Sequence, residues 1–153
     1  MKKLLLSFFS VIFFSLTIVG TASASWVHAG SDDKVEIFFK PESVVFEHQG
    51  NLINGDVVYV WWYMLYDDDY AQNNPFMGKT LKKIVLYDKL NLEKVMSKNL
   101  DTIAYDENGD VIYRGADKKP RRIIPGSHQE VLFNAVAEYI AENFEEVSNR
   151  TVR

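Results

Sequence analysis

Nine consecutive residues, Val57 to Leu65 (VVYVWWYML), are apolar or aromatic without a break. Extended, they place Val57, Tyr59, Trp61, Tyr63 and Leu65 on one face and Val58, Val60, Trp62 and Met64 on the other. β-Branched and aromatic residues dominate, so the segment reads as a strand rather than a helix turn. A strand that is apolar on both faces belongs in the middle of a sheet. Something must then cover each face.

The C-terminal quarter supplies one cover. Pro125-Gly126 ends an extended segment, Ser127 is an N-cap, and Glu130 three residues on completes a capping box. Val131, Leu132, Ala135, Val136, Tyr139, Ile140 and Phe144 then recur at helical spacing. This predicts an amphipathic helix from about His128 to Glu145, with Asn149 to Arg153 fraying.

Between these landmarks lie shorter strand patterns. Val35, Ile37 and Phe39 alternate with polar or outward residues, and Lys40-Pro41-Glu42 separates them from a second strand over Ser43–Glu47. Residues 50–55 (GNLING) read as a turn, and 67–78 (DDDYAQNNPFMG) as a polar loop. Thr80–Asp88 is a strand, and Leu92–Met96 and Leu100–Tyr105 are weaker ones. Asn108-Gly109 marks a tight hairpin turn into Asp110–Arg114, and Lys118 to Arg122 (KKPRR) reads as a basic loop. The expected class is α+β: an antiparallel meander of about six strands with one C-terminal amphipathic helix packed on its concave face. Either such a sheet curls around the helix, or its open face meets a partner, a second copy of the chain included.

The first 24 residues read as an address. Lys2 and Lys3 precede the uncharged run LLLSFFSVIFFSLTIVG, and Ala22-Ser23-Ala24 is the small-residue pattern of a signal-peptide cleavage site. Cleavage after Ala24 leaves a single domain, residues 25–153, with no further transmembrane segment. It is expected in the periplasm, at the cell surface or secreted. A retained N-terminal anchor is the competing reading. The full chain has no cysteine, which excludes disulfides, thiolate metal sites, a cysteine nucleophile and a lipid anchor on an N-terminal cysteine. Its net charge of −4 argues against a nucleic-acid partner.

No catalytic constellation stands out, and the chain reads as a non-enzyme without cofactor or metal. His28, His48 and His128 share no element at ligand spacing, and Ser127 is spoken for as a cap beside His128. Asp67-Asp68-Asp69 lacks the spaced glycine and closing glutamate of a calcium loop. Two features are candidate binding residues. Lys118, Lys119, Arg121 and Arg122 form a basic group in an acidic chain, suited to a heparin-like polysaccharide, an acidic lipid headgroup or an acidic protein. Trp61 and Trp62, among the tyrosines 59, 63 and 66, offer aromatic faces to a sugar or an apolar ligand. Both features have plain alternatives, a solvated loop and a packed core.

The order of segments resembles the surface-adhesin protein E family of exported bacterial proteins. The resemblance is carried by Trp26, Glu36-Ile37-Phe38-Phe39, Ser43-Val44, Val57–Trp62, the strand Leu81–Asp88, Tyr105 and the Asp106–Asp110 turn with Gly109. Val111-Ile112 and Ile124-Pro125-Gly126-Ser127 with Glu130 and Leu132 complete it. It implies an antiparallel sheet with a C-terminal helix on its concave side, and a non-catalytic binding module that engages extracellular-matrix or envelope proteins. Family members typically tie helix to sheet by a disulfide. Here the positions around Ala137 and Tyr87 hold no cysteine, so burial of Val136, Tyr139 and Ile140 must replace that tie. The family's namesake is lipid-anchored, which this chain cannot be. A soluble periplasmic accessory or structural protein with no host ligand is the alternative.

Overall fold

The computed structural model describes residues 25–150; the leader pattern lies outside them. Eight strands form one open antiparallel sheet, two more than the sequence pattern suggests. They are β1 Val27–Ser31, β2 Val35–Phe39, β3 Val45–Gln49, β4 Leu52–Tyr66, β5 Leu81–Asn91, β6 Met96–Asp106, β7 Val111–Gly115 and β8 Arg121–Arg122. The hydrogen-bonded order is β1-β2-β4-β5-β6-β7, with β3 also on β4 and β8 also on β6. Three helices complete the described chain: α1 Asp68–Asn73, α2 His128–Glu142 and α3 Phe144–Ser148.

β4 is the spine, as its two apolar faces require. One edge pairs with β5 from Val57 to Leu65, and the other is shared by β2 and β3. β2 and β3 are in effect one strand broken by the single 3₁₀ turn Pro41–Ser43. Pro41 has no N–H to give to a ladder, so the pairing must lapse there. Ser43 repairs the gap: its hydroxyl donates to Lys40 O at 2.6 Å and accepts from Trp61 N at 2.8 Å.

Several segmentations differ from the sequence pattern, among them the expected polar loop 67–78, which contains α1 because Asp67 caps its first turn. Residues 50–55 are not all turn: only Gly50-Asn51 reverse the chain, and β4 already starts at Leu52, held by Gln49, His48 and Glu47 of β3. Leu92–Met96 is not a strand. Residues 92–95 are the turn between β5 and β6, with Val95 at φ +51°. The basic segment is not all loop either, since Arg121 and Arg122 pair with Ser97 and Met96.

The core lies between β1–β5 and the C-terminal helices. Val35, Ile37 and Phe39 of β2, Val58, Val60 and Trp62 of β4, and Leu90 of β5 meet Leu132, Val136 and Ile140 of α2. Close approach is possible because β1 carries glycine: a Cβ on Gly30 would lie 2.6 Å from Val131 Cγ1. The predicted helix ends early, at Glu142, and restarts as α3, so Val147 rather than Phe144 enters the core. Phe144 stays exposed, with its ring 5.9 Å from Phe46. At the helix start Glu130 N–H donates to Ser127 Oγ at 3.3 Å. The returning Glu130 carboxylate accepts from Gly126 N, at 2.7 Å, one residue before the cap.

The C-terminus is tied rather than frayed as far as Arg150. The Arg150 guanidinium donates to the carbonyls of Pro41 and Val44, to Tyr139 Oη at 2.8 Å, and to Glu146. One side chain thus joins α3, α2 and the β2–β3 break. Arg150→Ala is expected to lower stability by about 1–2 kcal/mol, since several charge-assisted bonds go but water reaches the site. Denaturant unfolding checks this, and no loss of stability would mean that the clasp is decorative.

Candidate binding surface

Strand alternation assigns the two faces of the sheet. Helices α2 and α3 cover the side of Val58, Val60 and Trp62, and α1 joins them there through Tyr70, stacked on Tyr66 at 5.9 Å. On the other side no helix of the described residues packs. That open face presents two aromatic groups.

In the first, Trp61 of β4 stacks on its cross-strand partner Tyr87 of β5, with centroids 4.7 Å apart and planes 17° apart. Tyr59 continues the stack at 6.1 Å, and the Lys89 ammonium lies 5.5 Å from the Tyr59 centroid. Glu47 of β3 joins this end, accepting from Tyr59 Oη at 2.9 Å and from Lys89 Nζ. That hydrogen bond with Lys89 holds the Glu47 carboxyl below its ordinary value and the Lys89 ammonium above its own. Burial, then the Glu47 hydrogen bond, raises the Tyr59 phenol. In the second group Tyr63 of β4 stacks on Phe38 of β2 at 4.8 Å. Trp26 meets Tyr63 edge-on at 4.7 Å, and His28 meets Phe38 edge-on at 5.1 Å. Lys83 of β5 sits 4.3 Å over the Tyr63 ring. Phe38, Tyr59, Trp61, Tyr63 and Tyr87 are all half-buried, and Trp26 is 36% exposed. Rings stacked across strands cover the sheet backbone while leaving their edges wet.

The six predicted binding residues fall in different places. Trp61 is on the open face. Trp62 is 2% exposed on the helix side, and its indole N–H donates to Asp88 Oδ2 at 3.0 Å, so it is core and leaves the candidate surface. Lys118 and Lys119 are exposed in the segment before β8. Arg121 pairs with Asp117, and Arg122 has no acidic partner among the described residues. Pattern reading passed over Phe38, Tyr87, Lys83, Lys89 and Lys98. Phe38, Tyr87 and the lysines sit at the outward positions of alternating strands, which is where a signal for them lay.

The other polar clusters have structural work. Asp67 caps α1, accepting from Asp69 N and Tyr70 N, and Asp68 pairs with Lys82. Asp106 holds the β6–β7 turn by accepting from Asn108 N and Asp110 N, with Gly109 at φ +84°. His128 Nε2 lies 2.8 Å from Asp32 Oδ2, an exposed pair that lowers the Asp32 carboxyl chiefly through this hydrogen bond. Ser127 stays engaged at the cap beside it. His48 Nε2 is 3.2 Å from Arg150 O. Among the described residues no three His, Asp or Glu side chains come together in a way that would hold a metal ion.

No protein-family model and no curated protein matches the chain. Solved structures similar to it include those of Haemophilus influenzae protein E. One has a TM-score of 0.47 at 20% identity, covering 78% of this chain and 86% of that one. Another, protein E from non-typeable Haemophilus influenzae, has a TM-score of 0.45 at 17% identity, covering 85% and 84%. This is the protein after which the family that the sequence resembles is named.

Proposed function

We propose that this chain is an exported, non-catalytic binding module that takes a protein partner on the open aromatic face of its sheet. The observation that carries the reading is the pair of aromatic groups, Trp61–Tyr87–Tyr59 and Trp26–Tyr63–Phe38, left half-exposed under Lys83 and Lys89. Aromatic residues enclosed by polar ones are the composition of a protein interface, where a few buried rings supply most of the binding free energy. Extracellular-matrix and envelope proteins are the partner class, with residues 1–24 acting as a cleaved leader and residues 25–153 as one domain. Trp61 and its neighbours act as contacts in this reading, not as catalysts.

The test is saturable binding to a panel of immobilised matrix and envelope proteins. Phe38→Ser and Trp61→Ser are each expected to weaken a positive interaction by about 30-fold, the effect of losing one interface anchor. A panel with no saturable binder, or one indifferent to both substitutions, refutes the reading. A second reading, a periplasmic accessory protein without host ligand, is favoured by the lack of any cysteine to carry a lipid anchor. Protection of the protein from protease on intact cells, and its digestion once the outer barrier is opened, would select it.

A further inference from the structure

We propose that the β5–β6–β8 end of the open face is a second site, adjoining the aromatic one at Lys89, and that it takes a linear acidic polysaccharide, sugar rings carrying sulfate or carboxylate groups. The register places charges together that are far apart in the chain. Lys89 and Lys98 are direct cross-strand partners on the same face. Like charges in that relation are destabilising unless something neutralises them. Lys89 has Glu47; Lys98 has no acidic partner among the described residues. One strand further out, Arg122 pairs with Met96, two residues from Lys98 on the same face, and it too is without an acid.

Arg122 thus stands diagonally from Lys98, about 7–8 Å away, while Lys89 and Lys98 are one strand step of about 4.8 Å apart. That step is comparable with the rise of one ring in an extended sugar chain. Lys118 and Lys119 lie exposed in the segment that leads into the same edge. Of the acids around this end, Glu36 is on β2, Asp101 is 3.6 Å from Arg114, and Glu93 is in the β5–β6 turn beside Lys94. Arg121, which pairs with buried Ser97, is engaged by Asp117.

Beside Lys89 and Lys98 lies a groove of about 250 Å³ lined by these two lysines with Asn91, Met96, Ser97 and Pro120. Met96 and Pro120 offer an apolar floor to the C–H face of a sugar, Asn91 an amide to its hydroxyls, and the two lysines a rim for its anionic groups. The edge is held in place by Ile123 N–H donating to Val95 O at 3.0 Å, where Val95 sits at φ +51°. A β-branched residue disfavours that backbone region, and strain of this kind gathers at binding sites. A groove of about 250 Å³ suits one ring of a thin chain better than the broad surface of a folded acidic protein. Single-stranded nucleic acid would need an aromatic platform for its bases, and the nearest ring, Tyr59, is stacked by Tyr87 and roofed by Lys89.

The experiment is titration of the purified protein with a heparin oligosaccharide at low and moderate salt. Neutral dextran, poly-glutamate, polyphosphate and single-stranded DNA serve as comparators. Saturable, salt-sensitive heparin binding is expected. It should weaken roughly 30-fold in the Lys98→Ala/Arg122→Ala double variant, given the typical contribution of one cation at an anionic surface. Phe38→Ser, which strikes the protein-binding face, should leave it unchanged, so either site can fail without the other. Three results would overturn the proposal: no saturable binding, equal binding by the double variant, or binding of poly-glutamate, polyphosphate or DNA as tight as that of heparin. Because both substituted side chains lie on the surface, an unchanged unfolding midpoint confirms that the double variant is folded.

Discussion

Trp62→Ala is expected to remove about 3–5 kcal/mol of stability, and Trp61→Ala only about 1 kcal/mol. Trp62 is 2% exposed among Val35, Ile37, Leu90 and the α2 side chains. Removing a buried tryptophan typically costs about 3–5 kcal/mol through lost transfer free energy and the cavity left behind. Whole-domain stability is only about 5–15 kcal/mol, so that loss is a large share of the total. The substitution also deprives Asp88 of its indole donor, and the site cannot refill with water without wetting the core. Trp61, its neighbour in sequence, is half-buried and stacked on one ring, so Trp61→Ala should cost roughly 1 kcal/mol. Urea unfolding of the two variants side by side measures the contrast. Equal losses would contradict the contrast, and a larger loss at Trp61 would mean that the faces of β4 are assigned the wrong way round.

The second large effect concerns Asp88, a carboxylate with no exposed surface and no cationic partner among the described residues. It accepts three neutral donors: Trp62 Nε1 at 3.0 Å, Asn99 Nδ2 at 2.8 Å and Gln129 Nε2 at 3.4 Å. Asn99 in turn accepts from Thr102 Oγ1 and Asp117 N, so β4, β5, β6, α2 and the segment before β8 meet in one network. Asp88→Ala strands those donors and is expected to cost about 2–3 kcal/mol, most of it for the buried indole N–H.

The pH dependence has a definite sign. Burial raises the Asp88 carboxyl above its ordinary 3.8, while Asn99, Trp62 and Gln129 pull it down less strongly. The folded chain therefore holds a proton that the unfolded chain has already released. Between the unfolded value and the raised folded one, this group's contribution to stability falls as pH rises, and below the unfolded value no penalty applies. Asp88→Asn keeps an acceptor for Trp62 and removes the titration. Subtracting its stability–pH curve from that of the native chain should leave a downward slope beginning near pH 4. A flat difference would show that donors and burial cancel.

Much of this architecture is legible in the residue pattern, and the failures have physical causes. Val35, Ile37 and Phe39 are inward as alternation requires, and Asn108-Gly109 makes its hairpin with glycine at positive φ. The start of β4 was hidden because Asn51, Asn54 and Gly55 are turn formers, yet pairing with β3 overrides that preference. The β5–β6 turn was hidden for the opposite reason: Leu92 and Val95 look like strand residues, and Val95 is bent into the turn by the long hairpin around it.

The site was legible only in part. Both faces of β4 are apolar, so alternation separates Trp61 from Trp62 but does not say which of them the helix covers. The meeting of Lys89, Lys98 and Arg122 depends on register. That register includes an irregularity between Tyr87 and Asp88, which turns Asn99 inward to Asp88 and Lys98 outward beside Lys89. No spacing rule in one strand contains it.

A protein partner seated on the open aromatic face must shield the rings there from solvent. Oxidative footprinting of aromatic side chains, with and without the bound partner, tests this most directly. Protection is expected at Trp26, Phe38, Trp61, Tyr63 and Tyr87, with no change at exposed Phe144 or Phe76. Protection confined to Phe144, or to the segment around Phe76 and Tyr113, would put the contact surface elsewhere and contradict this placement.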